Sequence, residues 1–489
     1  MFNLRGNCRT SGEQRRKESG NVFGEGSRTP ISITILVRKP KKDPDELAAI
    51  LYKDIGDYLT REDKLKTIKD FGSMLSASIG LSSIAPNQAG DWINQRDGLF
   101  ETFIPIGDKE EKSEKTFFVP FYSRGVATAK DCWCYNFSAV ELERNMRRTV
   151  AHYMDCLDKD PVYDAAKISW GRSMLQAHDK HRKTAFESSH ICTATYRPFC
   201  KQHLYFDKMW NDMVYQIPRL FPTPQSKNLV ICTAGVGSKT FSALITNQIP
   251  DLHILESGTQ CFPLYWYEMN ERDTLSLFDN GNSDYNRRSG LTDYIIQRAR
   301  EEYGPKTSAE DIFYYVYGLL HSTDYRKKFA ADLTKDLPRI PLVGSSQDFK
   351  AFVKAGRKLA DLHLNYETGP LCPQLIITGD ASNKMHVTKM RFPSKENKGT
   401  ILYNDSVKIE NIPMAAYDYV VNGKSAVEWV MERYAVTKNA DSGIVNDPNL
   451  WSDNPRYILD LVSRVIQMSV ETQKIVAGLP KLDFSSQKS

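Results

Sequence analysis

Arg28-Thr-Pro-Ile-Ser-Ile-Thr-Ile-Leu-Val-Arg-Lys39 is the stretch on which the fold class turns. Ile31 to Val37 is nearly continuously apolar and β-branched, and it is bounded by Pro30 and Arg38. A run of this kind reads as a strand covered on both faces, as in a mostly parallel α/β sheet. Residues 1–39 are expected to hold a second strand, ahead of Arg9. Arg9–Arg28, rich in Gly, Ser, Arg and Glu, reads as the long polar loop between the two. Two strands cannot bury such a surface alone, and an open edge invites aggregation. The sheet is therefore expected to be completed by a partner or by residues this chain lacks.

Further along, Asp45–Tyr52 and Thr60–Leu75 are expected to be helices. Regularity then fades up to the charged run Asp108–Lys115, which reads as an inter-domain linker. Beyond it Thr116–Asn136 is aromatic and β-branched, and Ala139–Cys156 has helical spacing. Thr307-Ser-Ala-Glu310 and Ser425-Ala-Val-Glu428 have the capping-box pattern ahead of apolar helical runs. Phe349, Phe352, Val353, Leu359, Ala360 and His363 share one helical face. Strands are expected at Gln374–Thr378, Met385–Phe392 and Thr400–Ile409. A last helix begins at Asn454-Pro455 and stops near Gly478. The architecture is mixed α/β.

A chain of 489 residues, 41% hydrophobic and 26% charged, is expected to form two or three soluble folding units. Its longest early apolar run is far short of the roughly twenty residues of a membrane span, and no apolar signal core follows the early arginines. A cytoplasmic location is expected. Nine cysteines without a CxxC pair argue against a disulfide framework or a zinc site, and Cys132-Trp-Cys134 reads as buried thiols. The net charge is +5, but residues 1–42 hold ten basic side chains against Glu13, Glu18 and Glu25, so the remaining chain sums to −2. Such a segment suits phosphate contacts or a solvated loop whose acidic partner lies elsewhere.

Three strings imitate chemistry. Gly235-Val-Gly-Ser-Lys-Thr240 lacks the glycine spacing of a phosphate-binding loop. Phe23-Gly-Glu-Gly26 resembles an S-adenosylmethionine loop but precedes Pro30 and a strand, where that loop would open a helix. The polar run Tyr434–Asn449 lacks the alternating acids of a calcium loop. Glu110 and Glu111 sit in the charged linker, and no nucleophile–base pair stands out. No catalytic, cofactor-binding or metal-binding residue is assigned.

Several strings are distinctive in order. Asn3-Leu-Arg-Gly-Asn7, Arg9-Thr-Ser-Gly-Glu13, Gly20-Asn-Val-Phe-Gly24 and Gly26-Ser-Arg-Thr-Pro30 resemble the closing segment of the methyltransferase domain of Type ISP (single-polypeptide) restriction–modification enzymes. Gly90–Asp97 and Phe103–Asp108 resemble the link that follows. Ser123-Arg-Gly-Val126, Asp131–Ser138, Tyr196-Arg-Pro-Phe199, Leu204-Tyr-Phe-Asp207, Asp311–Gly318, Pro338-Arg-Ile-Pro341 and Asp441–Pro448 resemble their specificity domain.

The resemblance implies residues 1–58 as a methyltransferase remnant, 59–115 as a helical or irregular linker and 116–489 as a large α/β target-recognition domain. It implies recognition of double-stranded DNA for a system that methylates adenine N6 and cuts foreign DNA with ATP. The complete enzyme would use S-adenosylmethionine, ATP and Mg. This chain has no Asn/Asp/Ser-Pro-Pro-aromatic motif: Asp43, Asp160 and Asp447 precede single prolines. It is thus expected to recognise without catalysing. Either it docks on a separately encoded methyltransferase–motor half, or it is an inactive truncated product. A protein-binding accessory of a defence system is the alternative of another class.

Base readout needs Arg, Lys, Asn or Gln on a scaffold fixed by phosphate contacts. Arg124 and Lys130 in the segment Tyr122–Asn136 are expected DNA contacts. Arg172, Arg182, Lys183, Arg197 and Lys201, interleaved with aromatics between Trp170 and Tyr215, are expected as well. The same interleaving also fits a plain core with a solvated face. Arg5, Arg15, Arg16, Lys17 and Arg28 are expected along the phosphates near a flipped adenine.

Overall fold

The computed structural model describes residues 1–9, 12–38, 40, 47–74, 76–110, 113–269, 285–380 and 385–484. The chain divides into two units, one of Met1–Phe100 with Asn422–Lys424 and one of Glu101–Val421 with Ser425–Ser489.

In the small unit, β1 (Phe2–Arg5) alternates its side chains, so that Phe2 and Leu4 point inward. A short helix, α1 (Gly12–Glu18), stands within the polar loop. The sheet then adds β2 (Ile31–Ile33) and β3 (Ile50–Asp54), followed by α2 (Arg61–Phe71) and β4 (Ser82–Ile84). The strand order is β2-β1-β3-β4, with β1 antiparallel to β2 and parallel to β3. Phe2, Leu4, Val22 and Ile55 form the core, against which Ile31, Leu59, Ile68 and Phe71 pack. Thr60 caps α2 through a reciprocal box with Asp63. The Lys64 ammonium, fully enclosed, donates to the carbonyls of Glu18 and Gly20 at 2.7 and 2.8 Å, a cation at the carboxyl end of α1.

Three expectations change here. β2 is the edge of its sheet and covers only Ile31–Ile33. Ile35, Leu36 and Val37 are 56, 85 and 82% exposed, and among the described residues no strand pairs outside β2. The helix expected from Asp45 begins outside the described residues, and its described remainder is irregular at 47–49 and then part of β3 from Ile50. Residues 59–100 of the expected linker cluster with the small unit, to whose core α2 lends Ile68 and Phe71. Part of the expected linker run, Glu111 and Lys112, lies outside the described residues.

The large unit is mixed α/β, as the pattern of expected strands and helices indicated. It contains β5 (Ser123–Arg124), α3 (Asp131–Cys134), β6 (Tyr135–Asn136), α4 (Ala139–Asp155) and α5 (Arg172–Asp179). After these come β7 (Ile191–Arg197), β8 (Cys200–Tyr205), β9 (Val230–Thr233), β10 (Ala243–Thr246), β11 (Ile249–Pro250) and β12 (Gln260–Pro263). These strands make two four-stranded sheets, β10-β9-β12-β5 and β11-β7-β8-β6. Strands β9, β10 and β12 are buried at every position. The helices α6 (Asp293–Tyr303), α7 (Ala309–Leu319), α8 (Ser346–Leu364), α9 (Ala426–Arg433) and α10 (Tyr457–Ala477) follow.

α4 buries Leu142, Asn145, Met146, Thr149, Val150 and Tyr153, the stripe that a 3.6-residue period dictates. α7 and α8 pack backbone to backbone: a Cβ on Gly356 would stand 1.9 Å from the Tyr314 carbonyl oxygen, and one on Gly318 would stand 2.5 Å from that of Phe352. The α7 cap is Ser308 with Asp311, one residue beyond the expected Thr307–Glu310 pair, while Ser425 and Glu428 cap α9 as expected. Met385–Phe392 forms no strand and contributes only the bridge from Arg391 to Leu402. No helix among the described residues is long and apolar enough to cross a membrane.

Candidate nucleic-acid interface

The segments singled out around Tyr122–Asn136 and Trp170–Tyr215 come together in space through a buried ionic lattice. Arg197, at the end of β7, pairs with Asp251 at 2.7 Å and Asp131 at 3.2 Å, and the Tyr196 hydroxyl donates to Asp131 at 3.1 Å. Burial alone would lower the Arg197 pKa. Asp251, Tyr196 and Asp131 outweigh it and hold the guanidinium above its ordinary value. Lys130, its side chain 3% exposed, donates to Asp212 at 2.9 Å and to the Thr128 carbonyl at 3.0 Å. The Asp212 carboxylate also accepts from the Ser173 hydroxyl at 3.1 Å and the Arg172 amide at 3.1 Å. Burial would raise Asp212, but the Lys130 bond and charge prevail and leave it below the usual carboxylate range. A side chain at the start of α5 would displace this pair: a Cβ on Gly171 would lie 2.3 Å from Asp212 Oδ1 and 2.5 Å from Lys130 Nζ.

Above this lattice opens a cleft of about 620 Å³, lined by Asp131, Tyr135, Tyr196, Gln202, Lys438, Asn439 and Asn446 among others. Its far wall is the hairpin of Thr437–Lys438 and Val445–Asn446. Asparagines hold the hairpin: the Asn136 amide donates to the Val445 carbonyl at 3.0 Å, and Asn446 donates to Gln202 Oε1 at 3.1 Å and accepts from the Phe137 amide at 2.8 Å. The tip is held by its own bonds, with Asn439 Oδ1 accepting from the Ser442 amide and hydroxyl at 2.8 and 2.9 Å. The cleft thus presents amide donors and acceptors with an exposed lysine on a rigid frame, the groups that read base edges. A larger cavity of about 960 Å³ lies by the Pro222–Pro224 loop. Of the two expected segments only Trp170–Tyr215 lines it, through Lys208 among others, while Tyr122–Asn136 does not reach it, and its Arg287 is already stacked over Tyr265.

The expected contacts divide sharply. Lys130 and Arg197 are interior, and Lys201 is half-buried, paired with Glu367 and lying over the Tyr366 ring. Arg124, Arg172, Arg182 and Lys183 are exposed, and among the described residues none of them forms an ion pair. In the small unit, Arg5 joins β1 to β3 by pairing with Asp54 at 2.6 Å and with Asp57. Arg15 donates to the Cys8 carbonyl, while Arg16 and Arg28 are exposed and Lys17 is half-buried. The hairpin and Gln202 were missed. Thr437, Val445 and the turn glycine Gly443 were the available signal for a hairpin in a run tested only as a calcium loop.

The imitative strings form ordinary structure. Gly24–Gly26 is one 3-10 turn leading into extended backbone at Ser27, without the helix start that a cofactor loop needs. Gly235–Thr240 connects β9 to β10. Among the described residues no three His, Cys, Asp or Glu gather as a metal set. Burial pushes the Cys134, Cys192 and Cys200 thiols up to about 12.

Fold and cleft together define a recognition scaffold built on two small sheets with a helical flank. Residues 117–461 match the model of the Type ISP C-terminal specificity domain, and the chain belongs to the Type ISP restriction–modification family. Solved relatives agree along almost the whole chain. A nuclease-deletion mutant of the Type ISP enzyme LlaGI, in complex with a DNA substrate mimic, is 38% identical with a TM-score of 0.85, covering 99% of this chain and 44% of its own. ATP-dependent LlaBIII bound to DNA is 35% identical with a TM-score of 0.86, covering 99% and 31%. The DrdV–DNA complex is 28% identical with a TM-score of 0.80, covering 98% and 47%. The chain therefore spans less than half the length of each. No curated protein sequence matches it.

Proposed function

We propose that this chain reads the sequence of double-stranded DNA for a Type ISP restriction–modification enzyme, with the 620 Å³ cleft as its base-reading surface. The observation that carries this reading is the coincidence of the specificity-domain match over residues 117–461 with the unit that contains the cleft. The DNA-bound state of the LlaGI, LlaBIII and DrdV structures supports it. Lys438 and Asn439 meet base edges from the hairpin that Asn446 and Gln202 hold, and Arg124, Arg172, Arg182 and Lys183 meet phosphates. Arg15, Arg16 and Arg28 add phosphate contacts from the small unit. Lys130 and Arg197 shape the scaffold from beneath.

Methyl transfer, ATP-driven translocation and cleavage belong to a remainder of the enzyme that binds S-adenosylmethionine, ATP and Mg, and the complex works in the cytoplasm. The exposed Ile35, Leu36 and Val37 favour docking of that remainder on the small unit. Selection from a randomised duplex pool tests the reading. The intact chain should enrich one motif, and Asn439→Ala should relax that motif at one position while Arg172→Ala weakens all sequences alike. Enrichment of no motif would refute sequence readout.

A further inference from the structure

The solvent side of α8 carries a row of lysines that neither the core nor the cleft uses. Lys350, Lys354 and Lys358 follow one another at four-residue spacing, facing away from the buried stripe of Phe349, Phe352, Val353, Leu359 and His363. Lys306, between α6 and α7, stands across a groove of about 790 Å³ from them. Like charges four apart on a helix repel. Among the described residues, no carboxylate lies within ion-pair distance of any of these four lysines. Arg357 differs: it pairs with Asp311 at 2.9 Å and lies over the Tyr314 ring.

The floor of the groove indicates what fills it. Tyr303, Phe349 and Val353 are only 8, 3 and 8% exposed, so a peptide would find little apolar surface there. What the groove presents is ammonium groups on methylene stems. The row extends about 12 Å along the helix, a line of point charges about 6 Å apart. That pattern suits a polyanion with regularly spaced charges. α8 also ties this row rigidly to the cleft's own sheet, because Glu367 just past its end holds Lys201 on β8.

We infer that Lys306, Lys350, Lys354 and Lys358 form a second, sequence-independent contact with the phosphates of duplex DNA, outside the bases read at the cleft. This inference rests on the DNA-recognition reading above. Lysine serves here as a point charge that fixes affinity and register but carries no base information.

The test compares the full chain with a Lys350→Ala/Lys354→Ala/Lys358→Ala variant, using fluorescence anisotropy on a random-sequence duplex of about forty base pairs between 50 and 200 mM salt. Losing three phosphate contacts makes the slope of log affinity against log salt shallower by about 2.7, so the loss of affinity across that range is about 40-fold smaller. The ratio of target to random binding stays unchanged, and a Lys→Arg triple variant keeps the original slope. Alanine favours helix, so an unchanged Tm is expected, and a Lys→Gln triple variant repeats the measurement should it fall. An unchanged slope in a chain that still binds duplex would overturn this inference and leave the reading of DNA standing. Absence of duplex binding by the unaltered chain at 50 mM salt would overturn both. Preferential capture of polyglutamate over duplex, lost in the triple variant, would replace DNA with an acidic protein as the occupant.

Discussion

Residues 1–100 close around eight apolar side chains and leave Ile35, Leu36 and Val37 in water, whereas the larger unit buries whole strands at β9, β10 and β12. Their basic residues differ in the same sense. In the small unit Arg5 and Lys64 hold the sheet and the polar loop together, so charge does much of the work that a larger core would do. In the larger unit the cations separate into two populations. Lys130 and Arg197 lie inside with their carboxylates, and Arg124, Arg172, Arg182, Lys183 and the α8 lysines stay outside, without an ion pair among the described residues. The difference teaches that a basic residue among aromatics is open to an external anion only where the fold has not already supplied one.

The strongest way to break that comparison is Arg197→Ala. It would strand Asp251, whose side chain is 1% exposed, and should cost the larger unit about 3–5 kcal/mol, read as a drop in Tm or in the denaturant midpoint. If the variant melted like the parent, the lattice would not be structural. Acid acts on the same unit. Burial, with Arg326 nearby, lowers the pKa of His363 to about 3, and its ring nitrogens hydrogen-bond to Tyr317 at 2.6 Å and Thr472 at 3.0 Å. The unfolded chain takes up a proton near pH 6.5 that the folded ring refuses. This part of the stability is complete above about pH 6.5 and is lost as pH falls towards about 3. His363→Gln should flatten that part of the stability profile.

Smaller effects sharpen the contrast from the other side. Lys64→Ala removes two charge-assisted bonds and should cost the small unit about 2 kcal/mol. Faster hydrogen exchange should appear around residues 12–30, with the main melting transition of the larger unit unmoved. Replacing Arg172, Arg182 and Lys183 by alanine should leave Tm in place and make the salt dependence of DNA binding shallower by about 0.9 for each residue that meets a phosphate. Leu36→Ser should change the stability of the isolated chain by less than about 0.5 kcal/mol while weakening self-association or partner binding, measured by sedimentation.

Helices were the most legible part of the sequence, because their signals are local. Ser138 ahead of α4, the Ser425–Glu428 box and Gly478 closing α10 all lie within a few residues of the elements they bound. The strand at Ile31 was legible as a strand but not as an edge, because its neighbours are decided by pairings with residues 2–5 and beyond. The family was legible from many short strings in order, and the matched residues 117–461 bear that resemblance out. Which cations are free was not legible. Lys130 meets Asp212 across 82 positions and Arg197 meets Asp251 across 54, distances at which spacing carries no information. The hairpin at Thr437 carried a local signal in Thr437, Gly443 and Val445, but its anchoring on Asn136 and Gln202 was hidden for the same reason.

The asparagine latch has a consequence for how such a chain can change over generations. Residues 439–443 bond among themselves, and the bonds that seat the hairpin run through Asn136, Val445 and Asn446 at its base. Substitutions at the tip therefore change the face that the cleft shows without disturbing the frame beneath it. If that face reads bases as proposed, a few codons suffice to change the site, while the latch and the lattice below stay as they are.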